Sequence, residues 1–73
     1  MYTEKIQNLE NEILELKKYI KKDKKEIKKR EKILSMVDDN DVEIEIQMYK
    51  EDIEKFTNEL KTRKELIKNY KKL

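Results

Sequence analysis

Val37-Asp38-Asp39-Asn40-Asp41-Val42 is the stretch where one helical hydrophobic pattern ends and another begins in this 73-residue chain. Its four central side chains are short and polar, and they compete for backbone hydrogen bonds, which favours caps and turns over helix interiors. Asn40 stands three residues before Glu43, the spacing of a capping box. Asp41, Glu43 and Glu45 would lie at the positive end of a following helix dipole, and Lys68, Lys71 and Lys72 at its negative end. The stretch therefore predicts a turn over about 38–41. It joins a helix over about 3–37, started by Thr3 and Glu4, to a helix over about 42–72, in one domain spanning 1–73.

Working back from the turn, steps of three and four residues pass through Ile6, Leu9, Ile13, Leu16 and Ile20, then Asp23, Ile27, Arg30, Leu34 and Val37. These are the a and d positions of a heptad repeat, the seam of a coiled coil, and every a position is Ile or Leu. Working forward, a second seam runs through Val42, Ile46, Tyr49, Ile53 and Phe56, then Leu60, Arg63, Ile67 and Tyr70. Each helix would be roughly 50 Å long. The predicted fold is all-α: two long antiparallel helices in a coiled-coil hairpin, self-associating into a four-helix dimer.

One local pattern competes. Val42, Ile44, Ile46 and Met48 alternate with Glu43, Glu45 and Gln47, which is the period of a strand. Paired with 33–37 it would make a short β-ribbon at the tip, an arrangement that resembles prefoldin in its order of helix, β-hairpin and helix. A lone two-stranded ribbon is marginal in water, and the helical phase runs unbroken from Val42 to Tyr70, so helix is the stronger expectation.

Charge fixes the direction of pairing. Residues 1–16 carry a net −3, residues 17–34 a net +7, residues 35–59 a net −7 and residues 60–73 a net +5. Folding back at 39–40 sets +7 beside −7 and −3 beside +5, whereas a parallel in-register dimer sets +7 against +7. Exposed pairs contribute only ~0–1 kcal/mol each, but every block here has the same preference. Two continuous antiparallel helices from separate chains would make the same contacts, so a swapped dimer is the close competitor of the hairpin.

Composition removes whole classes of chemistry. The chain has no Cys, His, Gly, Pro or Trp. Disulfides, thiolate nucleophiles, imidazole bases, the commonest zinc ligands and glycine-built phosphate loops are thereby excluded. No cofactor and no catalytic residue is expected. No apolar run approaches the ~20 residues of a membrane span, and Met1-Tyr2-Thr3-Glu4 lacks the pattern of a signal peptide, so the expected location is cytoplasmic and off the membrane. Abundant Lys, Ile, Glu, Asn and Tyr without Ala or Gly fits an AT-rich genome, such as a low-GC bacterium or its phage.

Four groups of residues lie outside ordinary seam chemistry. Lys18, Lys21, Lys22, Lys25, Lys28, Lys29 and Lys32 fall only on b, c and f positions and form a ridge roughly 20 Å long, a candidate for polyanions or simply a solvated face. It has no interleaved aromatic residues, so base readout is not expected. Apolar residues also spill beyond the seams. Leu14, Met36, Ile44 and Met48 fall at b, c or f positions, the last three clustered near the turn, while Tyr19, Ile33, Leu66 and Leu73 fall at g positions. A two-helix rod has no use for a row of apolar g residues; a partner helix does. Asp23, Arg30 and Arg63 put charge at d positions and must be paired or wet, which reads as register and partner specification. The acidic turn lacks the glycine of a calcium loop, so capping accounts for it better. The expected function is that of a non-catalytic protein-interaction module: a small regulator, adaptor or inhibitor of phage or mobile-element type, and itself a homodimer. Nonspecific nucleic-acid binding through the lysine ridge and a purely structural homo-oligomer are the alternatives.

Overall fold

The computed structural model describes residues 2–73 and consists of two helices, α1 (Thr3–Met36) and α2 (Asn40–Lys72), packed side by side along their whole lengths. The resulting antiparallel hairpin is a rod of 56 × 14 × 12 Å. There is no strand among the described residues, and 42–48 is helical. The ribbon would have left two unpaired edges at the tip, whereas the helix keeps Val42 and Ile46 in the seam.

The turn is shorter than the sequence predicts and is capped differently. Val37 leaves the helix with extended backbone (φ −136°, ψ 132°), and its N–H donates to the Ile33 carbonyl at 2.9 Å to close the last turn of α1. Asp39, not Asn40, is the N-cap of α2: its Oδ1 accepts from the Asp41 N–H at 3.0 Å, and its carbonyl accepts from the Glu43 N–H at 3.2 Å. A carboxylate at this site satisfies an orphan donor and meets the positive helix end as well, an advantage the Asn40 amide lacks. Asn40 thus becomes the first helical residue. One further consequence is that Val37, assigned to the seam by its spacing, is 57 % exposed, because extended backbone carries it out of the heptad phase. At the other end, α1 begins at Tyr2 with no side-chain cap; the Tyr2 carbonyl accepts from the Ile6 N–H at 2.9 Å.

Burial follows the heptads closely. Apart from Val37, every seam residue is buried or half-buried. Among the described residues only Ile13, Leu16, Ile46 and Ile67 are buried, and no charged or polar residue is. Two helices can enclose an a/d stripe from two sides at most, so the remaining seam residues keep an open edge.

The register has a simple rule. Where a d residue of one helix meets a g residue of the other, their numbers add to 75: Arg30 with Glu45, Arg63 with Glu12, Phe56 with Tyr19 and Tyr70 with Lys5. The hairpin also has an approximate internal two-fold that relates positions 33 apart. Glu12, Ile13, Ile20, Glu26 and Arg30 correspond to Glu45, Ile46, Ile53, Glu59 and Arg63.

A candidate docking flank

An antiparallel pair of helices has two unlike flanks, one bordered by the e positions of both helices and the other by their g positions. On the e flank, α1 places Glu10, Lys17, Lys24 and Glu31, and α2 places Glu43, Lys50, Thr57, Lys64 and Lys71. All are polar and all are exposed. The g flank differs. Ile33 lies near the tip, Tyr19 at mid-rod, and Leu66 and Leu73 toward the open end, each exposed by more than two-fifths. The c positions lie beside g on the helical wheel, so Met36 and Met48 border the same flank near the tip, 82 % and 60 % exposed. Ile44 and Leu14, at f and b, are exposed away from it. Of the sequence-predicted protein-binding residues, the fold therefore brings five to one side, Tyr19, Ile33, Met36, Met48 and Leu66, and leaves Ile44 apart on the outer face of the tip.

Between its apolar ends the g flank is acidic. Glu45, Glu26, Asp52, Glu59 and Glu12 occupy g positions in order from the tip. Sequence reasoning singled out none of them. The signal was present, since acidic residues recur at g in both heptad runs, but the importance of that row depends on g meeting g across the hairpin.

The three seam charges meet this row in different ways. Arg30 Nε donates to Glu45 Oε2 across the helices at 2.6 Å, Nη1 donates to the Glu26 carboxylate and to its carbonyl oxygen at 3.3 Å, and the guanidinium lies 4.7 Å from the Tyr49 ring centroid. The hydrogen bonds to Glu45 and then Glu26 hold Arg30 above even its usual basicity, and Arg30 in turn holds the Glu26 carboxyl below its usual range. Arg63 repeats the pattern under the internal two-fold: Nε donates to Glu12 Oε2 at 2.9 Å and Nη1 to the Glu59 carbonyl at 3.2 Å. Each arginine at a d position therefore reaches outward to a g carboxylate of the facing helix, and the pair locks register while staying partly wet.

Asp23 has no such partner. Its Oδ2 is shielded from solvent and makes no hydrogen bond. Desolvation pushes the carboxyl above its usual range, and the charge of Asp52, its g neighbour by the register rule, pushes it further; Lys22 acts in the opposite direction. The internal two-fold maps this carboxylate pair onto Tyr19 and Phe56, whose rings stack 5.7 Å apart. One layer of the repeat is thus an aromatic pair, and its counterpart is two like charges.

The lysine ridge projects elsewhere. Lys18, Lys21, Lys22, Lys25, Lys28, Lys29 and Lys32 are all exposed on α1, and the ion pairs among the described residues involve Arg30 and Arg63 only. The surface depressions are shallow and open to solvent; one lies along this ridge between Lys25, Lys28 and Lys32. No group of three His, Cys, Asp or Glu among the described residues is placed to hold a metal ion, and no helix is long and apolar enough to cross a membrane.

Fold and flank together define an antiparallel two-helix coiled coil with one polar side and one amphipathic side. Compared with protein-family models, with curated proteins and with solved structures, the chain matches none.

Proposed function

We propose that this chain is a non-catalytic protein-interaction module that acts as a small regulator, adaptor or inhibitor by docking a protein partner on its g flank. The observation that carries this reading is the segregation of surplus apolar groups. Tyr19, Ile33 and Leu66 share one flank, whereas no e position of the opposite flank is apolar and only Leu14 at b borders it. Scattered exposed apolar residues are normal on any protein, but a one-sided row along a rod is the surface a further helix covers. The reading is tested by affinity capture with the wild-type chain, a g-flank variant (Tyr19→Glu, Ile33→Glu, Leu66→Glu) and an e-flank variant (Lys17→Glu, Lys50→Glu). Proteins held by the wild type should be lost with the first and kept with the second. Identical capture by all three, or recovery of the chain alone, overturns it.

A second reading has its own observation. Seven exposed ridge lysines lie on α1 with no carboxylate among the described residues within ion-pair distance. Nonspecific polyanion binding would show as DNA or RNA affinity that falls steeply with salt, and charge reversal of Lys21, Lys25 and Lys28 would abolish it.

A further inference from the structure

We propose that the occupant of the g flank is an amphipathic helix of another protein whose middle is basic, with a Lys or Arg seated against Asp23 and Asp52 and apolar residues over the two ends. The inference rests on the reading of this flank as a docking surface and adds the chemistry of the partner.

Three observations combine. The first is shape. By the register rule Ile33 lies level with Val42, so the span from Ile33 to Leu66 is that from 42 to 66, about 36 Å of helix. A straight flank of that length between two parallel rods is covered by a third helix of about 25 residues, and a loop or compact domain would touch only part of it. The second is the order of chemistry along the flank, which is apolar at Ile33, Met36 and Met48, acidic through the middle on either side of Tyr19, and apolar again at Leu66 and Leu73, with Lys5 between those two. Arg30 and Arg63 already answer Glu45 and Glu12; Asp52 has no cation among the described residues within ion-pair distance. The third is Asp23, a carboxylate with a solvent-shielded, unpartnered oxygen beside Asp52. Every other seam charge is compensated inside the chain, and this one is left for a cation that comes from outside. A half-buried carboxylate with a second carboxylate beside it is costly when alone and becomes an anchor once a cation reaches it.

A second copy of the chain fits this flank poorly. With a two-fold along the rod, Asp23 and Asp52 of one copy meet the same two residues of the other. With a two-fold across the rod at the level of Tyr19, Asp52 falls opposite Glu59. Both arrangements bring carboxylates together. The basic e flank of a second copy carries no apolar residue to cover Leu66 or Ile33.

The test uses the full chain and two synthetic helices of about 25 residues with Leu at a and d. One carries Lys at the e and g positions of its two central heptads, and its twin carries Glu there. Binding is followed by fluorescence anisotropy at physiological salt. The Lys helix should bind at least about tenfold more tightly than the Glu helix, and Asp23→Asn with Asp52→Asn should erase that difference. Leu66→Gln should weaken both helices alike. Circular dichroism confirms that the variants stay helical; Asp52 and Leu66 are exposed, so a single change at either tests the site without touching the seam. Equal binding of the two helices would overturn the charge inference while leaving the docking reading in place. Binding of the Lys helix that ignores both Leu66→Gln and the Asp variants would show plain charge attraction and overturn the site. A dimer by light scattering that excludes both helices would give the flank to a second copy.

Discussion

Replacing Asp23 with Leu should stabilise the free hairpin, and the structure sets the size of the effect. Position 23 is a half-buried d site between the apolar a residues Ile20 and Ile27. A fully buried Leu contributes ~1.5–3 kcal/mol relative to an exposed one, so a half-buried site yields about 1–1.5 kcal/mol. Removing a desolvated carboxylate that faces Asp52 acts in the same direction, bringing the expected gain to about 1–2 kcal/mol at pH 7. For a chain of this size that is a rise in Tm of roughly 5–15 °C, followed by far-UV circular dichroism. Asp23→Asn separates charge from packing. The Asp23 carboxyl is raised in the folded state above its ordinary value of 3.8, so the folded protein holds this proton more tightly than the unfolded one does. Wild-type stability is then penalised at neutral pH, and the penalty is relieved as pH falls through the folded pKa toward 3.8. The advantage of Asp23→Asn over wild type should therefore shrink from pH 7 to about pH 4, while the packing share of Asp23→Leu persists. Comparing variants at each pH cancels the opposite contribution of Glu26, whose lowered pKa makes it stabilising above its ordinary range. If Asp23→Leu melts at or below the wild-type temperature at pH 7, the reading of Asp23 as a cost to the seam is wrong.

Three further outcomes are expected. A double-mutant cycle of Arg30→Ala and Glu45→Ala should give a coupling of about 0.2–1 kcal/mol that fades in molar salt, and strict additivity at low salt would remove the cross-helix pair. Asp39→Ala should cost about 1 kcal/mol in urea unfolding while Asn40→Ala costs clearly less; the reverse order would return the cap to Asn40. Changing Val37→Ala, Asp38→Glu and Asp39→Ala together replaces the extended linker with helix formers, so α1 and α2 should fuse and pair with a second chain through the same contacts. Light scattering should then report a doubled mass, and a monomer would show that the turn is not what keeps the helices in one chain.

Much of the fold is legible in the sequence because a heptad repeat states both the secondary structure and the face that packs. The a/d spacing alone finds nearly every buried or half-buried residue of the two helices, from Ile6 to Leu34 and from Val42 to Tyr70. The misreadings lie at the turn, where one cap residue decides the phase. Asp39 and Asn40 are both good caps, and the choice between them shortens α1 by one residue and turns Val37 outward. The candidate site was only half visible. Apolar g residues stand out in the sequence as surplus, but acidic g residues read as ordinary coiled-coil charge until the register shows which d residue each one faces. Asp23 is the sharpest case. As a seam charge it reads like Arg30 and Arg63, and only the pairing rule shows that its neighbour is Asp52 and not a cation.

That difference bears on why such a layer exists. Under the internal two-fold, Arg30 with Glu45 maps onto Arg63 with Glu12, and apolar layers map onto apolar layers, but the Tyr19–Phe56 stack maps onto Asp23 and Asp52. A long aliphatic or aromatic side chain at 23 would complete the seam, and the stacked pair shows that the same geometry accepts one. Consistency between local choice and global fold is what makes a sequence specify its structure, and departures from it concentrate where stability is exchanged for function. The stability of Asp23→Leu and the helix-binding of Asp23→Asn with Asp52→Asn are therefore two halves of one question. A hairpin that gains stability and loses its preference for a basic helix would place the cost of this layer in recognition. If it gains stability and keeps that preference, the charge recognition lies in the other flank carboxylates, such as Glu26 and Glu59, and Asp23 is a cost to the seam with no return at this flank.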